Sequence, residues 1–325
     1  EVEAGQGFYT WIDYNDNGIQ EFDEFEVAEY QDQANFLRVP LPNLQFIATQ
    51  SAKINQSITL NANQWSNKTG LKKVLSHFYN QFFLSSRNEL ERARNSFNLN
   101  PFNMSKDKQI SINFTIKNSL YFNRGLQKFS TTYTFAKAEN KQQYSIGSQD
   151  TDTNYQQIDF QHKIGKFWLV DLQGKLSENK LETENFNNRN YEIDVIAFQP
   201  KISYVLNNDN RFAAFYHMKN KENILAEFEK LKQQKIGIEY FYTGKSTSQF
   251  NANFTTFFND FSGNPNSPVG YQMLEGLQEG TNYTWTFLWN KKLNSFLNVT
   301  LNYKGRKSLN SKTIHTGTIN LKAVF

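Results

Sequence analysis

Residues 283–289 read YTWTFLW and residues 296–303 read FLNVTLNY. Successive side chains of a strand point to opposite faces. Tyr283, Trp285, Phe287 and Trp289 therefore share one side, and Thr284, Thr286 and Leu288 the other. The row continues through Leu297, Val299, Leu301, Tyr303 and then Ile319, Leu321, Ala323, Phe325. All twelve positions are apolar or aromatic. With 38% apolar residues in the chain, independent draws give that on the order of 10⁻⁵ of the time. A water-soluble sheet needs a second layer over such a face. A chain with a mean hydropathy of −0.68 offers no segment for one, and hydrocarbon is the alternative cover.

The alternation extends backwards. Phe250, Ala252, Phe254, Thr256 and Phe258 alternate with Gln249, Asn251, Asn253 and Thr255; Ile236, Ile238, Tyr240 and Tyr242 with Gly237, Glu239 and Phe241. Phe212 to Met218, Trp168 to Leu176, Ile158 to Ile164 and Ile110 to Ile116 follow suit, with charges on one parity. A Lys or Arg facing lipid at mid-membrane costs ~2–4 kcal/mol. No run reaches the roughly 18 apolar residues of a membrane helix. Short Asn-, Gly- and Lys-rich turns alternate with longer segments near 87–107, 138–151, 179–190, 222–231 and 260–278. Counting from the C-terminus yields thirteen strands. An even number is the bacterial rule, and LQFIATQSA (44–52) supplies the fourteenth. The expected fold is all-β: a closed antiparallel outer-membrane barrel of about 14 strands (12 to 16) over 44–325, behind a small module at 1–43.

Residues 13–24, DYNDNGIQEFDE, fit a twelve-residue calcium loop. Asp13, Asn15, Asn17, the Ile19 carbonyl, Glu21 and Glu24 take the oxygen-donor positions, and Gly18 takes the sharp turn. The entering GFYTWI reads as extended and there is no second loop, so a structural Ca²⁺ clip is expected rather than a sensor. FEVAEYQDQ (25–33) is expected to follow as a short helix.

The run YTWIDYNDNGIQEFDEFEVAEYQDQANFLRVPLPN (9–43), with SGNPNSPVGYQMLEGLQEGTNYTW (262–285), resembles the C-terminal region of large outer-membrane proteins of the Bacteroidota type. The two stretches cover under a fifth of the chain. The resemblance implies an envelope location and a barrel at the end of a longer polypeptide, and brings no catalytic residues. The chain opens on EVEAGQGFYTW rather than Met, in keeping with a mature chain or the C-terminal part of a longer one. An aromatic last residue, Phe325, on an alternating strand resembles the signal read by the barrel assembly machinery. Outer-membrane lipid and lipopolysaccharide, that machinery and other envelope proteins are the expected partners, with the N-terminal side periplasmic.

Chemistry is sparse. There is no Cys, so no disulfide or thiolate site. Lys+Arg 35 against Asp+Glu 31 argues against nucleic acid. His315 and His162 fall on the lipid-facing parity, and His315 with Thr313 or Ser295 does not make a hydrolase set. The inward Lys117, Asp159, Lys163, Asp171, Lys175, Lys201, Arg211 and Glu239 have mixed sign, and pairing within the lumen is expected. The loop 262–280 is expected to fold inward, cross the mouth or dock a partner. ENILAEFEKLKQQ (222–234) has helical apolar spacing. The favoured function is a non-enzymatic membrane domain that anchors a larger envelope protein and acts in an assembly, secretion or transport complex. A passive pore, or a fourteen-stranded transporter of hydrophobic substrates plugged by the N-terminal segment, comes second. A barrel phospholipase or protease comes third.

Overall fold

The computed structural model describes residues 1–39, 47–92, 109–125, 128–144, 146–207, 209–225, 227–244, 248–294, 296–309 and 311–323. Phe325, Ser295, the 43/44 boundary and most of the segment 87–107 lie outside them. A small sheet comes first, β1 (Tyr9–Trp11) antiparallel to β2 (Phe25–Val27). The large sheet runs β3 (Thr49–Asn61), β4 (Phe78–Glu91), β5 (Gln109–Phe122), β6 (Phe129–Tyr144), β7 (Gly147–Ile164), β8 (Trp168–Thr183), β9 (Tyr191–Val205) and β10 (Asn210–Asn223). It continues with β11 (Lys230–Gly244), β12 (Ser248–Ser262), β13 (Gly280–Lys292), β14 (Leu297–Ser308) and β15 (Ile314–Ala323). Two short helices interrupt it, α1 (Leu71–Leu75) and α2 (Pro268–Leu274). Every strand from β3 to β15 is hydrogen-bonded to its sequence neighbours in one antiparallel meander of thirteen.

The expected fourteenth strand does not form on its own within the described residues. Thr49 to Ala52 belong to β3, which runs unbroken from Thr49 opposite Glu91 to Asn61 opposite Tyr79. LQFIATQSA alternates because its second half is the start of that strand. The expected closure is likewise not seen: among the described residues β3 and β15 are the two ends of the sheet and do not pair. An odd antiparallel meander leaves its first and last strands running the same way, so a seam between them would be parallel.

One end of the sheet, the turn end, carries the short connections 165–167, 206–209 and 293–296, together with the longer 62–77 that holds α1. The other, the loop end, carries 184–190, 224–229, 263–279 and 309–313. Three expected segments differ. Residues 138–151 form no long loop, because β6 and β7 pair up to Tyr144 opposite Gly147. Residues 222–234 form no helix: Leu231 turns inward on β11 and is fully buried, while Ile224 and Phe228 stay exposed in the turn. Residues 25–33 form β2 and a single 3-10 turn at Gln31–Gln33, because the extended 9–11 segment offers a ladder that Phe25–Val27 completes.

The two faces differ as the alternation requires. On the outward row Ile158, Leu176, Ile196, Phe212, Ile236 and Ile238 are all at least half exposed, and Ile319 and Leu321 reach 68% and 69%. No described part of the chain covers them. The inward row holds Ser203, Gln233, Thr255, Asn259 and Asn282, all buried. That is the reverse of a soluble sheet.

Candidate functional site: belt, lumen and cap

The outward face ends in a ring of aromatics at the turn end. Phe78, Phe122, Phe129 and Phe160 follow one another around β4 to β7, with centroids 5.1, 6.1 and 6.5 Å apart. Trp168 and Tyr204 lie 5.0 Å apart on β8 and β9. Phe212, Tyr240, Phe250 and Phe287 continue the ring through β10 to β13 at 4.5, 5.6 and 4.8 Å. On β10 the outward apolar row runs from Phe212 to Met218, roughly 20 Å at 3.3 Å per residue, before Asn220 and Glu222 replace it. An apolar band about 25 Å tall, edged by aromatics, is what a transmembrane barrel presents to lipid. Past this row, outward Glu222 and Lys230 pair at 2.7 Å with both side chains more than half exposed.

The inward face is occupied. Ser267 caps α2, its hydroxyl accepting from the Gly270 N–H at 3.0 Å, with Pro268 in the first turn. Val269, Met273 and Leu274 pack on inward Ile193, Val195, Leu231 and Phe261. The helix ends at Glu275, which adopts left-handed backbone (φ 56°). That turn aims its carboxylate at three inward lysines: Lys219 Nζ at 2.7 Å, Lys221 Nζ at 2.9 Å and Lys235 Nζ at 3.4 Å. Lys221 also donates to the Met273 carbonyl at 2.8 Å. Burial alone raises the Glu275 pKa, but Lys221, Lys235 and Lys219 together outweigh it and hold the carboxyl well below the usual range.

Of the inward charges foreseen from sequence, Lys201 pairs with Glu239 at 2.5 Å. Asp159 and Asp171 accept instead from Gln157, Gln173 and Gln161. Lys175 lies over the Tyr155 ring at 4.6 Å, and Arg211 over Phe241 at 4.5 Å. Glu275 and the three lysines around it are not among the inward charges that the local pattern singles out. Yet Lys219, Lys221 and Lys235 share parity with Arg211, His217 and Glu239, so extending the inward row would have found the lysines.

The N-terminal module caps the loop end. Arg189 donates to Glu26 at 2.7 Å and to the Phe25 carbonyl at 3.0 Å. Arg306 grips Asp32 with two bonds, 2.6 and 2.9 Å, and lies 4.0 Å from the Tyr30 ring centroid. The Glu29 N–H donates to the Tyr271 hydroxyl at 3.1 Å. Glu26 is buried, and burial outweighs Arg189 and the Tyr14 hydrogen bond, pushing its pKa from 4.5 up to about 7. A carboxyl raised on docking contributes fully below its undocked pKa and loses that contribution as pH rises through 7. Glu275 shifts the other way, so its contribution is present above 4.5 and is lost only in stronger acid. Between pH 5 and 8 the cap is therefore expected to loosen with rising pH. Amide exchange at Glu29 should be slower at pH 5 than at pH 8 after correction for intrinsic rates, and no difference would refute it.

In the twelve-residue loop, Asp16 and Gly18 take left-handed backbone (φ 56° and 70°). Asp13 accepts from the N–H groups of Asn17 (3.1 Å) and Gly18 (2.8 Å). Asn15 and Asn17 accept from Asn17 N and Ile19 N, and both donate to Glu21, at 2.6 and 3.4 Å. These residues are thus brought together. Glu24 is buried, and accepts from Trp11 Nε1 (2.7 Å), Tyr14 N (3.2 Å) and Glu21 N (3.3 Å). The spacing and backbone fit calcium. Among the described residues, however, no three acidic or His side chains surround one point, and the loop's oxygens accept hydrogen bonds from its own N–H groups.

The histidines are dispersed. His315 Nδ1 meets the Tyr303 hydroxyl at 2.7 Å and His162 stacks on Phe160. His77 lies against Phe122, and His217 is on the inward parity among the lysines.

No protein-family model and no curated protein matches the sequence. Solved structures similar in outline include the outer-membrane expressed OmpT of Vibrio cholerae, at 6% identity and TM-score 0.37, over 80% of this chain and 86% of that one. The beta domain of the Bordetella autotransporter BrkA gives 9% identity and TM-score 0.31 over 85% and 98%. The translocator domain of NalP from Neisseria meningitidis gives 9% and 0.28 over 88% and 91%. Scores of this size fall short of a shared fold.

Proposed function

We propose that residues 49–323 form an outer-membrane β-barrel wall that anchors an envelope protein without being an enzyme, its outer mouth shut by the 1–39 module and the α2 loop. The observation that carries this is the uncovered outward apolar face, ringed by aromatics at the turn end. Lipid cannot satisfy bare strand edges, so in the membrane β3 and β15 meet along a parallel seam or take a further strand between them. Short turns face the periplasm and longer loops face outward in such barrels. That rule puts the cap on the outer side, opposite to the sequence expectation. The cap and the inward helix favour an anchor within an envelope complex over an open pore. Folded protein should remain monodisperse only in detergent or lipid, migrate differently on gels before and after boiling, and conduct poorly in planar bilayers. A detergent-free monodisperse species ends the reading; large steady conductance moves it to the pore.

We further propose that Asp13, Asn15, Asn17, the Ile19 carbonyl, Glu21 and Glu24 would hold a structural Ca²⁺. The ion would compete with the N–H groups these oxygens now accept. Chelation should make residues 1–39 more sensitive to protease. Gly18→Val, forcing a β-branched residue into left-handed backbone, should mimic chelation and abolish any further response. Equal digestion with and without chelator removes the metal from the account.

A further inference from the structure

Three ammonium groups on one carboxylate exceed what a single charge needs. Lys219 and Lys221 come from β10 and Lys235 from β11, all on the inward row, and all reach the two oxygens of Glu275 within 3.4 Å. His217 lies near enough to feel Lys219, Lys235 and Glu275, and Lys175 near enough to feel Lys219. Glu239 is taken by Lys201, and Glu29 acts on Lys221 only from a distance, with no salt bridge between them. If all are ionised, Glu275 leaves two of the three positive charges without a direct partner. The lysines sit on strands of the wall, while Glu275 sits on a loop, behind a short helix and in a backbone conformation that non-glycine residues take rarely. The rigid half of the contact is cationic and the removable half is anionic.

We infer that Lys219, Lys221 and Lys235 form an anion-binding site on the inward face, of which Glu275 is the tethered occupant. A small anion bearing a carboxylate or phosphate would take the place of the Glu275 carboxylate and release the 263–279 loop. Three convergent Nζ donors suit a terminal phosphate, whose several oxygens can accept from all of them as charge-assisted hydrogen bonds. The exchange breaks no covalent bond: one anion leaves the lysines and another arrives. The inference goes beyond the membrane-anchor reading and needs only the inward face.

Inorganic phosphate tests it, on the full chain in detergent at constant ionic strength. Wild-type protein should be stabilised less at each phosphate concentration, because phosphate must first displace its own carboxylate. Glu275→Gln should be stabilised progressively, in the manner of a ligand that binds only the folded state. Glu275→Gln combined with Lys221→Gln should lose that response. An equal response in wild type and Glu275→Gln, or an undiminished one in the double variant, overturns the site. Should Glu275→Gln fail to fold, protease cleavage within 263–279 of the wild-type protein decides. Cleavage should rise with phosphate and not with matched chloride, and unchanged cleavage overturns the inference. A chain that proved soluble without detergent would sink the membrane reading and leave this test readable.

Discussion

Ile238→Arg should destabilise the protein by ~2–4 kcal/mol in detergent or lipid, or prevent its assembly into membranes altogether. Ile238 is 60% exposed, on the outward row of β11, with Ala214 and Phe254 as its cross-strand neighbours. In a soluble protein, a side chain this exposed accepts arginine with an effect within about 0.5 kcal/mol. The same substitution therefore separates the two environments more sharply than removal of any buried residue, which would be harmful in both. Asn253→Lys supplies the internal control. Asn253 lies one position before Phe254, on the inward row, opposite Glu239, and a lysine there should change stability by less than about 1 kcal/mol. The comparison is read as the shift in denaturation midpoint between folded, heat-modifiable samples. Equal small shifts for both variants would mean that water, not hydrocarbon, covers the outward face.

The parts of the fold legible in the sequence are those that follow one rule, an apolar residue at every second position. Tyr283 to Trp289, Leu297 to Tyr303 and Ile236 to Tyr242 alternate because one face must be apolar throughout, and their registers are those of the paired strands. Where strands rise past the apolar band the rule lapses. Lys137, Glu139 and Lys141 carry the outward parity of β6, opposite Asn154, Asp152 and Asp150, and so read as a loop. Leu231 misled differently: in ENILAEFEKL it completes a helical spacing, but it lies inward on a strand, against Met273 and Leu274. The cap shows a third limit. Glu26 and Asp32 look like ordinary surface acids until the fold brings Arg189 and Arg306, more than 160 residues away in sequence, against them. Local pattern carries no trace of such pairs. The glutamate that meets the lysines was hidden for the same reason, since only the course of the 263–279 loop brings it to them.

Arg306→Ala should release the cap while leaving the wall intact. Arg306 is 12% and Asp32 23% exposed at the side chain. Removing the guanidinium leaves the Asp32 carboxylate without its two-bond partner and strips the Tyr30 ring of its cation. Breaking such a pair costs about 3–5 kcal/mol, largely through the stranded charge. The Glu29 N–H, which donates to Tyr271, reports docking directly. Its exchange should accelerate on the order of 10²- to 10⁴-fold where it proceeds through a rapid opening equilibrium, while strand amides in β10 to β13 keep their protection. Lys230→Gln is the counterweight. Its pair with Glu222 is as short, 2.7 Å, but more than half exposed on both sides, and an exposed pair contributes about 0–1 kcal/mol. Reintroducing charge as Arg306→Lys should recover only part of the protection, because an ammonium cannot reproduce the forked contact with the carboxylate or stack on Tyr30 as the planar group does. If Arg306→Ala leaves Glu29 as protected as in the wild type, the Arg306–Asp32 pair does not hold the module. Closure of the mouth then falls to Arg189, with Glu26 and the Phe25 carbonyl as its partners.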